Sequence, residues 1–337
     1  MATIKEIAAL AGCSPSTVSI ILRGKAEERN ISEKTRDKVM ASAVALGYQP
    51  NMAARSLRWG MGSDELRIAM FWAQDFRSGM MVRFWDGLRQ AIEAQQRSIR
   101  LAIIPYTNGH LKDERALTGI SDFHAGIICN ASGEDLSFMA SHSLSLPVVL
   151  YNRVCDGYCS VDVDDRRMGE LAARALLDAG CREPAILTGP AVFEGMDIRI
   201  DGFASAVMAA GCDAPTCHYC DNSIAGGYEL ARKLLTSDWR KRQPDGIFCG
   251  SSMIGHGLLR ALSEHADRPW PLPRVVAVGN GIEDQDKYSS PSLSVIRVPM
   301  EDMAQACMQL LLDLMQGQVQ PGTRLQLDTA FIQRESC

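Results

Sequence analysis

The sequence predicts an all-α helix-turn-helix head joined by a short hinge to a larger α/β body of two doubly wound parallel sheets. Three observations predict this. Residues 3–22, TIKEIAALAGCSPSTVSIIL, carry the caps and apolar spacing of two short helices around a tight turn. From Leu66 onward, short Val- and Ile-rich runs alternate with amphipathic segments, as strands do when crossover helices bury both of their faces. Between head and body, Gly60, Gly62 and Ser63 mark a joint. At 337 residues the chain is too long for a single core.

Thr3 is an N-cap, and Glu6 three residues later completes a capping box. Ile4, Ile7, Ala8, Leu10 and Ala11 recur at helical spacing as one apolar face. Gly12 stops the helix, since glycine enters left-handed backbone angles without a Cβ clash. Ser14 caps the second helix, and Pro15 takes its first position, where the missing N–H costs nothing. Val18, Ile21 and Leu22 form its buried side. Ser14, Pro15, Ser16 and Thr17 are all short, so this first turn can press against a phosphate backbone and base edges. Residues 15–22 therefore read as a recognition helix. Ser32 caps a third helix over 33–46, whose Val39, Ala43 and Leu46 face the first two. Three helices make a very small core. Pro50 and Asn51 then open a short helix within 48–58, YQPNMAARSLR, that is marginal in isolation.

In the body, apolar runs predict strands at 67–72, 100–104, 126–129, 147–151, 185–188, 246–249 and 274–278. Helices are expected over about 80–95, 168–179, 199–210, 226–235, 255–265 and 300–316. Ligands of such sheets sit beyond the strand C-terminal ends, so two facing lobes imply one interlobe cleft.

Composition narrows the function. Residues 1–60 hold nine Lys or Arg against five acids, a net +4, while the whole chain carries −5. A basic head on an acidic body suits nucleic-acid binding by the head. No apolar run approaches ~20 residues, so no membrane span is expected. An apolar h-region is absent at the N-terminus, and the 11 cysteines are scattered, which predicts a cytoplasmic protein with reduced thiols.

Cys212, Cys217, His218 and Cys220 include a C-x-x-C, but a second pair at zinc spacing is missing, and no metal is expected. Val278-Gly279-Asn280-Gly281 lacks the third glycine of a dinucleotide fingerprint. Asp162, Asp164 and Asp165 cluster without a glycosidase context. No serine lies in a nucleophile elbow. The sequence thus predicts no catalytic residue, no enzyme activity and no cofactor.

Three segments resemble the lactose-repressor (LacI/GalR) family of bacterial transcription regulators: TIKEIAALAGCSPSTVS, YQPNMAARSLR and RIDGFASA. The resemblance covers nearly the whole length. It implies a helix-turn-helix domain over 1–48, a hinge helix and linker over 49–63, and a periplasmic-binding-protein-like effector and dimerisation domain over 64–337. Within the last, the resemblance implies an N-lobe of about 64–163 and 297–322 and a C-lobe of about 164–294 and 323–337. Crossings between lobes fall near 162–165, 293–298 and 321–325. The partners it implies are a pseudo-palindromic operator, a second copy of the chain and a small-molecule effector, with the protein on the bacterial nucleoid.

By position, Pro15, Ser16 and Ile20 fall where the family varies its base-reading residues. Thr3, Ser14, Thr17 and Ser19 fall where phosphate or base contacts are common. Ile20 departs from the polar residue of many relatives and suits a thymine methyl; core packing is the other role open to it, and capping the other role for Ser16 and Thr17. In the hinge, Leu57 matches the family's intercalating leucine, with Asn51, Arg55, Ser56 and Arg58 around it. Packing against the body is the alternative for Leu57.

Arg199, in R-x-x-G-F, matches the family's effector-binding arginine; a surface ion pair is its alternative. Trp72, Asp75 and Phe76 follow the first strand, although Trp72 suits the core equally well. Asn130, Asn152, Asn222, Ser251 and Asn280 complete the implied effector set. Two departures from sugar-responsive relatives stand out: Ser251-Ser252 replaces Asn-Asp, and Asn280-Gly281 replaces an aspartate. The implied function is a repressor controlled by a small polar metabolite, a sugar or sugar derivative. The competing readings are an enzyme fused to a DNA-binding head and a solute receptor without a regulatory role.

Leu57→Ala is expected to weaken specific operator binding while leaving the fold and effector binding intact, because the wedge acts only on the DNA, where it unstacks a base step; operator titration by gel shift reads this out. An operator scan is expected to show a thymine preference opposite Ile20.

Overall fold

The computed structural model describes residues 3–22, 26, 29, 31–46, 65–74, 80–95, 98–119, 121–237, 239, 244–264 and 271–337. The expected hinge residues Asn51, Arg55, Ser56, Leu57 and Arg58 lie outside them, as do Asp75 and Phe76.

The head comprises α1 (Ile4–Ala11), α2 (Pro15–Ile21) and α3 (Glu33–Ala45). The capping box is complete: the Thr3 amide donates to the Glu6 carboxylate at 2.7 Å, and the Glu6 amide donates to Thr3 Oγ1 at 3.3 Å. Gly12 ends α1 at φ 66°, in the left-handed region. Ser14 Oγ accepts from the Thr17 amide at 3.0 Å and caps α2. Ile7, Ala8, Ala11, Val18, Ile21, Val39 and Ala43 close a small core. Two expected core residues stand outside it. Leu10 is 53% exposed, since it lies about 100° around α1 from the Ile7–Ala11 stripe. Leu46 is 38% exposed, because α3 ends one residue before it.

The body contains β1 (Leu66–Ala73), β2 (Ile99–Tyr106), β3 (Ala125–Cys129), β4 (Val148–Tyr151), β5 (Cys159–Val163), β6 (Pro184–Thr188), β7 (Thr216–Tyr219), β8 (Gly246–Cys249), β9 (Arg274–Gly279), β10 (Ser294–Arg297), β11 (Arg324–Leu327) and β12 (Ala330–Ile332). Its helices are α4 (Met81–Glu93), α5 (Arg115–Thr118), α6 (Gly133–Ser141), α7 (Asp165–Asp178), α8 (Glu194–Ala209), α9 (Ile224–Thr236), α10 (Ser252–Glu264), α11 (Glu283–Tyr288) and α12 (Met300–Gln316). The strands form two six-stranded sheets, ordered β11-β5-β4-β3-β1-β2 and β12-β10-β9-β8-β6-β7. All pairs are parallel except β10–β12. The third crossing corrects the sequence reading, which assigns 323–337 to the C-lobe. β11 pairs with β5 in the first sheet, Arg324 opposite Ser160, so that sheet keeps the chain through Leu327. Arg324 also clamps the Asp162 carboxylate with bonds of 2.6 and 2.8 Å, tying the first and third crossings together.

Both sheets are covered on two faces. Along β1, Ile68, Met70 and Trp72 point to α4 and α12, whereas Ala69, Phe71 and Ala73 point to the side of α6. In the second sheet, Phe248 and Val276 meet α7 and α8, and Ile247 and Val275 meet α9 and α10. Glycines bring these helix pairs together at backbone distance. A Cβ on Gly169 of α7 would fall 2.0 Å from the Arg199 carbonyl of α8, and one on Gly202 would fall 2.5 Å from the Arg166 carbonyl. Gly227 and Gly257 make the reciprocal contact between α9 and α10, at 2.4 and 2.1 Å from Ile254 and Ile224 carbonyls. Among the described residues, no helix is long and apolar enough to cross a membrane.

Gly169→Ala is expected to destabilise the protein by about 1–3 kcal/mol, since both clashing partners are backbone atoms. Gly133→Ala, where a Cβ meets nothing within 4 Å, is expected to be neutral or slightly stabilising. Urea unfolding midpoints of the two variants check the contrast.

Candidate effector cleft and DNA-reading head

The cleft is built from strand ends. β3 and β4 of the first sheet finish at Cys129 and Tyr151, and the next residues, Asn130 and Asn152, take left-handed angles of φ 63° and 52°. Asparagine tolerates that region better than other branched or bulky residues, and it turns the chain sharply off the sheet. From the second sheet, β8 is followed by Gly250 and Ser251, and β9 by Asn280. The amides of Asn130, Asn152, Asn222 and Asn280 converge on a cleft of about 480 Å³, counted out to its mouth. Two guanidinium groups, Arg153 and Arg199, and two aromatic rings, Tyr151 and Phe193, share the same walls; Met80, Met196, Val298 and Met300 supply apolar surface. No carboxylate stands among the lining residues described.

Asn222, Asn280, Arg199 and Arg153 are held from behind. Ser251 Oγ donates to Asn222 Oδ1 at 2.6 Å, and the Ser252 amide donates to Asn280 Oδ1 at 3.3 Å. Arg199 is 6% exposed, and its Nε donates to the Asp165 carboxylate at 2.6 Å. Arg153 donates from Nε to the Ala131 carbonyl at 2.7 Å and from a terminal nitrogen to the Asn152 carbonyl. Its guanidinium lies 3.6 Å over the Phe193 ring, with Arg199 5.6 Å from the same ring. Phe193 is thus a shared platform for two cations. Burial pushes the Tyr151 hydroxyl well above its ordinary range, so it stays protonated at neutral pH.

The structure brings five of the expected effector residues to the cleft: Asn130, Asn152, Arg199, Asn222 and Asn280. Ser251 stands behind Asn222. Trp72 is corrected to a core residue: it is 3% exposed, packed against Phe84 at 5.7 Å and Tyr151 at 6.5 Å between ring centroids. Alternation along β1 turns it toward α4 rather than the cleft. Arg199 is not the surface residue of the alternative reading, since its ion pair is buried. Sequence reasoning missed Arg153, Tyr151, Phe193 and the methionines. Arg153 follows Asn152 directly and could have been found by extending the strand end. Phe193 had no local signal, because α8 begins at Glu194, five residues before the expected start.

In the head, Ser14, Pro15 and Ser16 are exposed, and Thr17, Ser19 and Ile20 are half-buried. Ser14 and Thr17 hydroxyls bond to each other at 2.8 Å, so capping occupies both. Ile20 is absent from the head core. Cys217 and Cys220 are half-buried thiols; burial raises both, Cys220 to about 11. Among the described residues, no three His, Cys, Asp or Glu side chains gather as a metal site.

A helix-turn-helix head on a two-lobed body with a polar interlobe cleft defines a DNA-binding regulator. Residues 3–51 match the model of bacterial regulatory proteins of the lacI family, and 173–337 match a periplasmic binding protein-like domain. The ribose operon repressor of Bacillus subtilis is 28% identical over 100% of this chain and 98% of its own length. The HTH-type transcriptional regulator CelR of Thermobifida fusca is 26% identical over 99% and 98%. A solved LacI family transcription regulator from Clostridium acetobutylicum superposes with a TM-score of 0.76 at 28% identity, over 80% of this chain and 100% of that one. The chain belongs to the LacI family of bacterial transcription regulators and is not an enzyme.

Arg199→Met is expected to lower stability by about 3 kcal/mol, because it strands the largely buried Asp165 carboxylate. Pairing it with Asp165→Asn is expected to recover part of that loss, measured by urea unfolding in a double-mutant cycle.

Proposed function

We propose that the protein is a homodimeric repressor whose operator affinity is set by a saccharide, or an acidic derivative of one, bound between the lobes. The observation that carries this is the cleft wall: four asparagine amides and two guanidinium groups converge beside aromatic faces, with no carboxylate among the described lining residues. An amide both donates and accepts, so it pairs with hydroxyl groups in either sense, while an aromatic face covers the C–H side of a sugar ring. Ser251-Ser252 and Asn280-Gly281, where many sugar-responsive relatives carry aspartate, remove negative charge and favour a ligand that bears some. The name of the Bacillus subtilis relative, a ribose operon repressor, supports the saccharide class.

On this reading, two copies read a pseudo-palindromic operator in the bacterial cytoplasm. Pro15, Ser16 and Ile20 face base edges, Thr3, Ser14, Thr17 and Ser19 lie near phosphates, and Asn51, Arg55, Ser56, Leu57 and Arg58 act in the minor groove. Effector binding alters lobe closure and thereby whether paired hinges form. The coupling is reciprocal, so operator DNA shifts effector affinity by the same factor.

A thermal-shift screen of D-ribose, other pentoses and hexoses, aldonic acids and sugar phosphates tests the ligand class, followed by operator gel shifts with each hit. A ligand at a hundred times its Kd is expected to stabilise the protein by about 2.7 kcal/mol. Asn280→Ala and Asn152→Ala are expected to abolish that shift. Silence across all sugars, with operator binding intact, would overturn the saccharide assignment.

A further inference from the structure

One guanidinium ties the second lobe's cleft loop to the first lobe. Arg83 sits in the first turn of α4 and is 7% exposed. Its Nε and one terminal nitrogen grip the Glu301 carboxylate at 2.6 and 2.8 Å. The remaining N–H groups donate to three carbonyls: Val298 at 3.1 Å, Gly279 at 3.2 Å and Gly281 at 3.3 Å. All five donors of the planar fork are therefore used, which an ammonium cannot reproduce. Burial is the largest single influence and acts against the charge, but the hydrogen bond and charge of Glu301, with smaller contributions from Tyr151 and Glu283, together outweigh it and raise the Arg83 pKa. Burial is likewise the largest influence on Glu301 and acts to raise it, yet the Arg83 bond and charge, a backbone hydrogen bond and Arg297 together hold its carboxyl below the ordinary value.

The acceptors matter because of what lies between them. Gly279 and Gly281 flank Asn280, which lines the cleft. The second lobe holds this loop from the other side, through the Ser252 amide to Asn280 Oδ1 at 3.3 Å and the Gly281 amide to Ser252 Oγ at 3.0 Å. Val298 and Glu301 belong to the crossing into α12. That helix is locked to α4 at backbone distance, since a Cβ on Gly87 would fall 2.3 Å from the Glu301 carbonyl. The loop thus hangs between two anchors, one in each lobe.

We propose that Arg83 is a positioning residue for the effector site: from the first lobe it sets where Asn280 stands opposite Asn130 and Asn152. The assignment deepens the cleft reading above and rests on it. Displacement of Asn280 by a ligand pulls on the Gly279 and Gly281 carbonyls, and through Arg83 on α4.

Hydrogen–deuterium exchange of the full-length, ligand-free protein tests this in wild type, Arg83→Met and Arg83→Lys. Exchange over 279–282 is expected to rise roughly tenfold or more in both variants, the consequence of losing charge-assisted bonds. Protection of α10 and of the α4–α12 contact around Gly87 is expected to stay at the wild-type level. Arg83→Lys keeps the buried charge beside Glu301 and serves if Arg83→Met fails to fold. Unchanged exchange over 279–282 in a folded variant overturns the proposal, as does a rise spread evenly over α4, α12 and β9, which marks a merely structural role. No ligand is added, so this result stands apart from the sugar screen.

Discussion

Strands buried on both faces have only their ends left for polar chemistry, and here both sheets turn their C-terminal ends toward one cleft. That constraint organises the body. Ile68 and Phe71 of one strand face opposite cores, as do Phe248 and Ile247 of another. The first residues free of these cores are Asn130, Asn152, Gly250 and Asn280, and all four line the cleft. Crossover helices complete the burial by approaching each other at glycines, so their backbones rather than their side chains set the helix-to-helix spacing within each layer.

The electrostatics of the cleft follow from the same burial. A guanidinium near a sheet end can persist only with its donors satisfied. Arg199 does so through Asp165 at the start of α7, and Arg153 through the Ala131 and Asn152 carbonyls. Phe193 then takes both cations on its ring. The wall presents amides, cations and aromatic faces, and its carboxylate stays behind Arg199. On the proposed reading such a surface selects its ligand by hydrogen-bond geometry, because an unmatched buried amide is costly to leave unpaired.

The proposed function requires that the cleft and the head report on each other. The buried cluster that fills the inner face of the first sheet continues to the second and includes Met168, Val298 and Met300. Polar ties reinforce that continuity: Arg324 with Asp162 between the first crossing and β11, and Arg83 with Gly279, Gly281 and Glu301 around the second. Closely packed interfaces tend to have discrete arrangements instead of deforming continuously, which suits a switch.

Much of this was legible in the sequence. Local chemistry determined the head: Thr3 with Glu6, Gly12, and Ser14 with Pro15 set helix ends within a few residues, needing no distant partner. Aliphatic runs likewise marked the central strands, and the asparagines at their ends marked half of the cleft. β5 and β7 resisted, because CSVDV and TCHY lack an aliphatic run. Trp72 was ambiguous because its side is decided by pleat direction and by α4, both nonlocal. Only the tertiary structure decided that Asp165 neutralises Arg199 across 34 positions, that Phe193 reaches the cleft, that β11 stays with the first sheet, and that Arg83 meets Gly279 across 196 positions. Caps and periodicities act over a few residues and are written in order along the chain. Ion pairs and lobe crossings join residues that become neighbours only after both sheets have formed.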